Sequence, residues 1–173
     1  MKIAVRHATV YDAALLAAVE LASWRAAYRG LMPDAFLDDL SEAEKTADWR
    51  QNLLKHGTSG RKRVVVAVSD TGVIGLVRVG SIIDEGEVGM VYLLYVLPAY
   101  WGHGVGTALM GAGMNELRDL GMGDAVLWVL RDNLRARRFY ERLGWTPDGR
   151  TVNEGYGGYI LEALCYRRAV DAE

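Results

Sequence analysis

Three alternating glycines, Gly102, Gly104 and Gly106, separate an apolar run that stops at Pro98 from a second apolar run with helical spacing. Glycine adopts positive φ angles and lets other groups approach the backbone closely. The N–H groups at the start of a helix lack intrahelical partners, and the helix dipole adds positive potential there. The segment PAYWGHGVGTALM therefore predicts a phosphate-binding loop. A flexible turn before a helix is the alternative.

Two other phosphate-binding motifs do not fit the same stretch. A dinucleotide fingerprint, G-x-G-x-x-G, that begins at Gly102 needs a third glycine where the sequence has Thr107. A fingerprint that begins at Gly104 needs one where the sequence has Leu109. A nucleoside triphosphate loop needs Gly-Lys-Ser/Thr, and the sequence contains no such triplet. A dinucleotide-binding module is therefore disfavoured.

Size and charge restrict the class of protein. The chain has 173 residues, which suits a single domain over residues 1–173. Its formal net charge of −2 disfavours nucleic acid and anionic membranes as partners. We expect no signal peptide and no membrane span, because no stretch approaches the ~18 apolar residues that a span needs. Cys165 is the single cysteine, so no intrachain disulfide can form, and we expect a buried thiol and a cytoplasmic location.

Apolar periodicity predicts alternating helices and strands. Strands are predicted near residues 2–7, 61–69, 72–80, 87–97, 123–130, 145–150 and 158–167. Helices are predicted at residues 12–29, 34–40, 42–55, 105–120 and 133–143. Asp12 is expected to cap the first helix. Ser41 and Glu44 should form a capping box, and Gly57 should end that helix. Because an antiparallel hairpin feeds a β-α-β unit, the sheet should be mixed.

Two segments resemble the GNAT-type N-acetyltransferases. Gly104-Val105-Gly106, after a strand that ends in LYVLP, is similar to the acyl-CoA loop of that family, whose pattern is Arg/Gln-x-x-Gly-x-Gly/Ala. The downstream segment NLRARRFYERLGW matches a second family segment, and ASWRAAYRGLMPDAFLDDL resembles a bacterial branch whose substrates are unassigned. The resemblance implies an α/β fold of the GNAT type. In that fold a central mixed, mostly antiparallel sheet with splayed strands is flanked by helices.

The same resemblance implies an activity and a co-substrate. The protein would move the acetyl group of acetyl-CoA directly to a primary amine of a small molecule or peptide, and a homodimer is common in the family. The residues that the resemblance assigns to acetyl-CoA are Leu94, Tyr95, Val96, Leu97, Trp101, Gly102, His103, Gly104, Val105, Gly106, Thr107, Asn133, Ala136, Phe139 and Tyr140.

Three of these residues carry specific roles in the resemblance. Tyr140 matches the general acid that protonates the departing thiolate, with a core tyrosine as the alternative. The N–H of Val96 is the implied donor to the carbonyl oxygen, and a plain buried strand is the alternative. Asn133 matches the residue that hydrogen-bonds pantetheine. A helix N-cap is its alternative role, which Asp132 could take instead.

Two positions depart from the family pattern. Trp101 stands at the Arg/Gln position, so an indole replaces a side chain that could reach pyrophosphate. His103 could supply positive charge at the loop, with a solvated loop residue as the alternative. Arg135 or Arg137 of the downstream helix could meet the adenosine phosphates, with a solvated helix face as the alternative. Met90 stands where members often place a glutamate base. The remaining candidates for a base are Glu85, Glu87 and Glu162. The alternative is an enzyme without a dedicated base that binds an already neutral amine. Both departures motivate a second hypothesis, an acyl-CoA-binding sensor or partner protein without catalysis.

Aromatic residues mark a candidate pocket for the acceptor amine. Trp24 and Tyr28 lie four residues apart on one helix face, with core packing as the alternative. Tyr156, with Tyr159, lies in EGYGGYIL, which we expect to be a mobile glycine-rich loop that closes the pocket. The residues assigned to the acceptor are Trp24, Tyr28, Arg29, Tyr92 and Tyr156. No metal is expected, because the histidines and Cys165 are isolated in the sequence.

Overall fold

The chain follows the predicted order of strands and helices. A computed structural model describes residues 2–56, 60–82 and 85–171. Strands lie at β1 Ala4–His7, β2 Lys62–Ser69, β3 Gly72–Ser81, β4 Val88–Val96, β5 Asp124–Leu130, β6 Thr146–Tyr156 and β7 Tyr159–Ala169. Helices lie at α1 Ala13–Tyr28, α2 Asp34–Asp38, α3 Glu42–His56, α4 Val105–Asp119 and α5 Leu134–Arg142. Short 3₁₀ turns lie at Val10–Asp12 and Pro98–Tyr100.

The strands form one mixed sheet in the order β1-β2-β3-β4-β5-β7-β6. The pairing of β4 with β5 is parallel, and the other pairings are antiparallel. The parallel pairing ends at Val91 and Leu127, whereas β4 stays paired with β3 as far as Val96 and β5 stays paired with β7 as far as Leu130. The two central strands therefore diverge, which confirms the splay implied by the resemblance.

Helices cover both faces of the sheet. Val65 and Val77 point into a core that also contains Leu109 of α4. Val66 and Leu76 point into a second core with Leu16 of α1. Alternate residues of a strand face opposite sides, so a strand buried on both faces is apolar throughout. This explains the uninterrupted run VVVAV in β2.

One expectation about the C-terminal strands is wrong. β6 continues to Tyr156, so EGYGGYIL is not a mobile loop but the end of a hairpin. Gly157 and Gly158 form its turn with φ angles of 54° and 86°. Two-residue hairpin turns with positive φ match the twist of the flanking strands. The second half of β6 was not predicted from sequence, because residues 150–153 are exposed and do not show apolar alternation.

The helix caps follow the predictions in part. The N–H of Glu44 donates to Ser41 Oγ over 3.2 Å, as expected. Asp12 does not cap α1 with its side chain. Its carboxylate instead accepts from the N–H of Thr9 over 2.7 Å and pairs with Arg6 over 2.8 Å. Gly57 lies outside the described residues.

Two further findings concern Cys165 and the length of the helices. The thiol of Cys165 is fully buried, as expected, and burial raises its pKa to about 11. Within the described ranges, none of the helices has the length and apolar character required to cross a membrane.

Candidate active site

The divergence of β4 and β5 opens a cleft of about 970 Å³. Its walls come from α1, β4, the glycine loop, β5, α5 and β6. The lining residues that carry the argument below are Ser23, Trp24, Tyr28, Met90, Tyr92, Leu94, Tyr95, Val96, Trp101, Gly102, Gly104, Gly106, Thr107, Trp128, Asn133, Arg135, Ala136, Phe139, Tyr140, Arg142, Glu154 and Tyr156. Most of the residues assigned to acetyl-CoA from sequence therefore lie around one cavity.

The backbone of β4 presents part of its hydrogen-bonding edge to this cleft. The N–H of Leu97 donates to the carbonyl of Ile74 over 2.9 Å. Because N–H groups alternate sides along a strand, those of Tyr95 and Leu97 point to β3, and those of Leu94 and Val96 point to the cleft. The sequence assigned all four backbones to acetyl-CoA. The pairing with β3 leaves the N–H groups of Leu94 and Val96 for that role and corrects the backbone assignment of Tyr95 and Leu97. Tyr95 still lines the cleft, whereas Leu97 does not.

The glycine loop meets two different geometric demands. Gly102 and Gly104 adopt left-handed φ angles of 79° and 80°. At Gly106 a Cβ atom would lie 3.2 Å from the ring of Phe139, so glycine here allows α4 to approach α5. The first bond inside α4 runs from the N–H of Ala108 to the carbonyl of Gly104 over 3.0 Å. The N–H groups of residues 105–107 therefore have no intrahelical acceptor.

Trp101 is anchored at the base of this loop. Its Nε1 donates to the carbonyl of Val96 over 2.7 Å, and Ser23 Oγ donates to the same oxygen over 3.1 Å. The guanidinium carbon of Arg135 lies 3.1 Å from the centroid of the indole ring. The position that carries Arg or Gln in the family pattern thus carries an indole with an arginine stacked on it.

The other cations considered from sequence lie elsewhere. Arg137 donates to the hydroxyl of Tyr166 over 3.1 Å and to the carbonyl of Arg131 over 3.0 Å. His103 is exposed, with Nδ1 2.9 Å from the carbonyl oxygen of Trp101, and it does not line the cleft. Arg135 is therefore the candidate whose charge the fold brings to the loop.

Tyr140 lines the cleft from α5. Its ring makes edge contacts with Phe139 and Trp145, with centroids 5.4 Å and 6.5 Å away. Within the described part of the chain, its hydroxyl has no hydrogen-bond partner. Burial raises the pKa of Tyr140 above its ordinary value, and the charge of Arg135 offsets a smaller part of that shift. The hydroxyl is therefore protonated at neutral pH and available to a ligand.

Asn133 caps α5. Its Oδ1 accepts from the N–H of Ala136 over 3.2 Å, so Asn133 and not Asp132 takes the capping role. Asn133 also lines the cleft, and its amide N–H donors are not needed for the cap.

Aromatic side chains of α1 and β6 meet in one wall of the cleft. The ring centroids of Trp24 and Tyr28 are 5.2 Å apart, and those of Trp24 and Tyr156 are 5.8 Å apart. Trp24 Nε1 also donates to the hydroxyl of Tyr95 over 2.8 Å. Three of the five residues assigned to the acceptor are thus in one cluster.

Glu154 is a residue that sequence analysis missed. It lines the cleft from β6, and its carboxylate accepts a hydrogen bond from the hydroxyl of Tyr156. Burial raises the pKa of Tyr28 to about 12, and the charge of Glu154 adds to that shift. The sequence signal was that Glu154 and Tyr156 lie two residues apart. Residues with this spacing lie on the same face only if the segment is a strand.

The remaining acceptor candidates differ in placement. Arg29 is exposed outside the cleft and pairs with Asp34 over 3.2 Å and Asp38 over 2.9 Å, which corrects its assignment. Tyr92 contributes to the cleft wall, but its hydroxyl donates to the carbonyl of Ser81 over 3.1 Å.

The carboxylates proposed as bases also lie outside the cleft. Met90 lines it, whereas Glu85, Glu87 and Glu162 do not. Glu162 forms an ion pair with Arg131. The described residues contain no cluster of three or more His, Cys, Asp or Glu side chains arranged to hold a metal ion.

Comparisons with known proteins agree with this geometry. The sequence model of the acetyltransferase (GNAT) family matches residues 21–145. The uncharacterized N-acetyltransferase YuaI of Bacillus subtilis is 31% identical over 134 residues, which cover 76% of this chain and 73% of that protein. A mycothiol acetyltransferase of Rhodococcus erythropolis is 47% identical over 62 residues, 36% of this chain. That match spans 21% of the length of the curated relative.

Solved structures share the fold over nearly the whole chain. The PaiA N-acetyltransferase of Thermoplasma acidophilum, solved in complex with coenzyme A, has a TM-score of 0.83 at 18% identity and covers 98% of this chain and 99% of its own. The putative acetyltransferase YncA of Salmonella typhimurium, solved with acetyl-CoA, has a TM-score of 0.72 at 20% identity, with coverages of 100% and 96%. The sequence match over residues 21–145, together with the splayed sheet, identifies this chain as a member of the acetyltransferase (GNAT) family.

Proposed function

We propose that the protein is an acyl-CoA-dependent N-acetyltransferase that moves the acetyl group of acetyl-CoA directly to a primary amine of a small molecule or peptide. The observation that carries this proposal is the open edge of β4, which leads into the uncapped N-terminus of α4 with Tyr140 in the same cleft. Family membership supports it, as do the coenzyme A and acetyl-CoA in the PaiA and YncA structures.

The residues present fit acetyl-CoA. The N–H groups of residues 105–107 suit phosphate oxygens, because they point out of the helix without intrahelical acceptors. Arg135 adds a positive charge beside the loop. The N–H groups of Leu94 and Val96 suit the amide groups of pantetheine, which would lie along β4 like an added strand. The amide of Asn133 would donate to the same chain.

The proposed chemistry balances with two proton transfers. Bound acetyl-CoA supplies a thioester, and the amine nitrogen bonds to its carbonyl carbon while the carbon–sulfur bond breaks. The N–H of Val96 donates to the carbonyl oxygen, which gains negative charge. Tyr140 gives its proton to the departing sulfur and regains one, through water, from the amine nitrogen.

Thermal unfolding with added ligands tests the binding half of the proposal. A ligand at about 100 times its Kd stabilises the folded state by about 2.7 kcal/mol. For a domain of this size we expect a rise in Tm of roughly 5–11 °C with acetyl-CoA and CoA, and none with NADH or ATP. Amine-dependent release of the CoA thiol, followed with a thiol reagent, then tests the transfer. A Tm shift with NADH alone would contradict the proposal.

Met90 favours one alternative, an acyl-CoA-binding sensor or partner protein without catalysis. The residue lines the cleft at a position where family members often have a glutamate base. Thiol release that requires both acetyl-CoA and an amine, at rates above buffer, would eliminate this alternative.

Three broader expectations stay predictions. Size-exclusion chromatography tests the homodimer, and cell fractionation tests the cytoplasmic location. A single cooperative unfolding transition would support one domain over residues 1–173.

A further inference from the structure

The wall of the cleft that we assign to the acceptor is aromatic. The ring of Trp24 makes edge contacts with the rings of Tyr28 and Tyr156, and Phe36 of α2 lies 6.3 Å from Tyr156 between ring centroids. The hairpin turn packs directly on α2, because a Cβ atom at Gly157 would lie 2.6 Å from the ring of Phe36. The β6–β7 hairpin is therefore held against the helices by its tip.

Glu154 places a negative charge beside this wall. It precedes Tyr156 by two residues on β6, so both side chains share the face that lines the cleft. Among the described residues that line the cleft it is the sole carboxylate, and no described cation forms an ion pair with it. The Tyr156 hydroxyl satisfies one of its acceptor sites. The other carboxylate lone pairs remain for a ligand.

The positive charges of the cleft belong to a different element. Arg135 and Arg142 line it from α5, and Arg135 is stacked on Trp101 at the glycine loop. The cleft thus carries cations on the helix that borders the loop for acetyl-CoA and an anion on the hairpin that borders the acceptor. A cationic acceptor gains both from the carboxylate and from the faces of the aromatic rings.

We infer that the acceptor is a primary amine that binds as its cation, with an apolar or aromatic body and no carboxylate, and that Glu154 is the residue that selects it. The bound ammonium group releases one proton to water before the attack, because only the neutral amine has the lone pair that bonds to the carbonyl carbon. This inference rests on the proposed acetyltransferase function. An acceptor with its own carboxylate places a like charge near Glu154, and such repulsion is strong in a partly desolvated cleft.

Two matched acceptors test the inference. L-Phenylalaninol and L-phenylalanine have the same ring and the same reactive amine, but a hydroxymethyl group replaces the carboxylate in the former. We expect kcat/KM to be at least about tenfold higher for phenylalaninol with the unaltered protein. Glu154→Gln keeps the acceptor for the Tyr156 hydroxyl and should bring that ratio close to one, mainly through KM for phenylalaninol.

Glu162→Gln is the matched control. Glu162 lies on the same hairpin, opposite Asn153 in the register, and its side chain pairs with Arg131 outside the cleft. The same loss of charge at this position should leave the ratio unchanged. An undiminished Tm shift with acetyl-CoA verifies that each variant is folded. Raising the salt concentration should lower the ratio of the unaltered protein, which tests the charge effect without a substitution.

The outcomes distinguish failure of the inference from failure of the proposed acetyltransferase function. The unaltered protein and Glu154→Gln could acetylate both amines with the same ratio of kcat/KM for phenylalaninol to kcat/KM for phenylalanine. That result overturns the inference and leaves the acetyltransferase function intact. A preference for phenylalanine also overturns it. If neither amine causes release of the CoA thiol, the inference is overturned, and thiol release with other primary amines then tests the acetyltransferase function separately.

Discussion

The guanidinium of Arg135 lies over the face of the Trp101 indole, 3.1 Å from its centroid, although 34 positions separate the two residues. The indole is fixed at its edge by the hydrogen bond from Nε1 to the carbonyl of Val96. Stacking on an aromatic face holds an arginine in place while leaving its N–H donors at the rim. The family pattern has Arg or Gln at position 101. In this protein the indole of Trp101 instead holds the guanidinium of Arg135 beside the loop.

Replacing Arg135 should weaken acetyl-CoA binding. We expect Arg135→Ala to raise the Kd for acetyl-CoA about tenfold, because a charge-assisted contact with phosphate is lost. The Kd is measured by isothermal titration calorimetry. Arg138→Ala removes the same charge from an exposed position of α5 and should change the Kd little. Equal losses in the two variants would show that the overall charge matters, not the stacked arginine.

Tyr140→Phe should lower kcat with little change in acetyl-CoA affinity. The substitution keeps the ring contacts with Phe139 and Trp145 and removes the proton donor. Loss of a general acid typically reduces the rate 10²–10⁴-fold, so we expect about 10²-fold or more. Steady-state thiol release and calorimetric Kd values measure the two effects. Turnover at the rate of the unaltered protein would exclude the acid role.

The pH dependence follows from the same residue. Burial raises the pKa of Tyr140 above the ordinary tyrosine value of about 10, so the protonated form persists into alkaline solution. Loss of the acid form should therefore cause no fall in kcat between pH 7 and about pH 9.5. A fall with an apparent pKa below about 9 would contradict Tyr140 as the acid.

Two substitutions at Asn133 separate its cap from its binding role. Asn133→Ala removes the acceptor for the N–H of Ala136, which should cost about 1 kcal/mol and lower Tm by roughly 2–4 °C. Asn133→Asp keeps a capping oxygen but loses the amide donors. We expect a Tm near that of the unaltered protein and weaker acetyl-CoA binding. Unchanged affinity in both variants would limit Asn133 to the cap.

Alanine substitutions at two glycines of one segment should have opposite effects. Gly104 has a φ of +80°, so Gly104→Ala should destabilise the fold by about 1–2 kcal/mol and disturb the loop. Gly111 lies inside α4, and a Cβ atom there would contact nothing within 4 Å. Gly111→Ala should therefore stabilise the fold by about 0.5–1 kcal/mol. Denaturant unfolding with and without acetyl-CoA measures both.

The local features of this protein could be read from its residues. The run VVVAV predicts a strand, and the glycines before Val105 predict a turn into a helix, because backbone preference and apolar spacing act over a few residues. The full length of β6 was not predicted from the sequence. Its residues 150–153 show no apolar alternation, and its pairing with β7 supplies the order instead.

The sequence by itself determined most of the strands, the helices and the turn at the glycine loop, because these depend on neighbours along the chain. The tertiary structure decided which groups face the cleft. Pairing with β3 turns the N–H of Leu97 away and leaves that of Val96, and packing of α5 on the loop selects Arg135 rather than Arg137. Glu154 reaches the cleft only because the β6–β7 hairpin packs against α1 and α2. Strand register and helix packing join residues far apart in sequence, and no local pattern encodes those contacts.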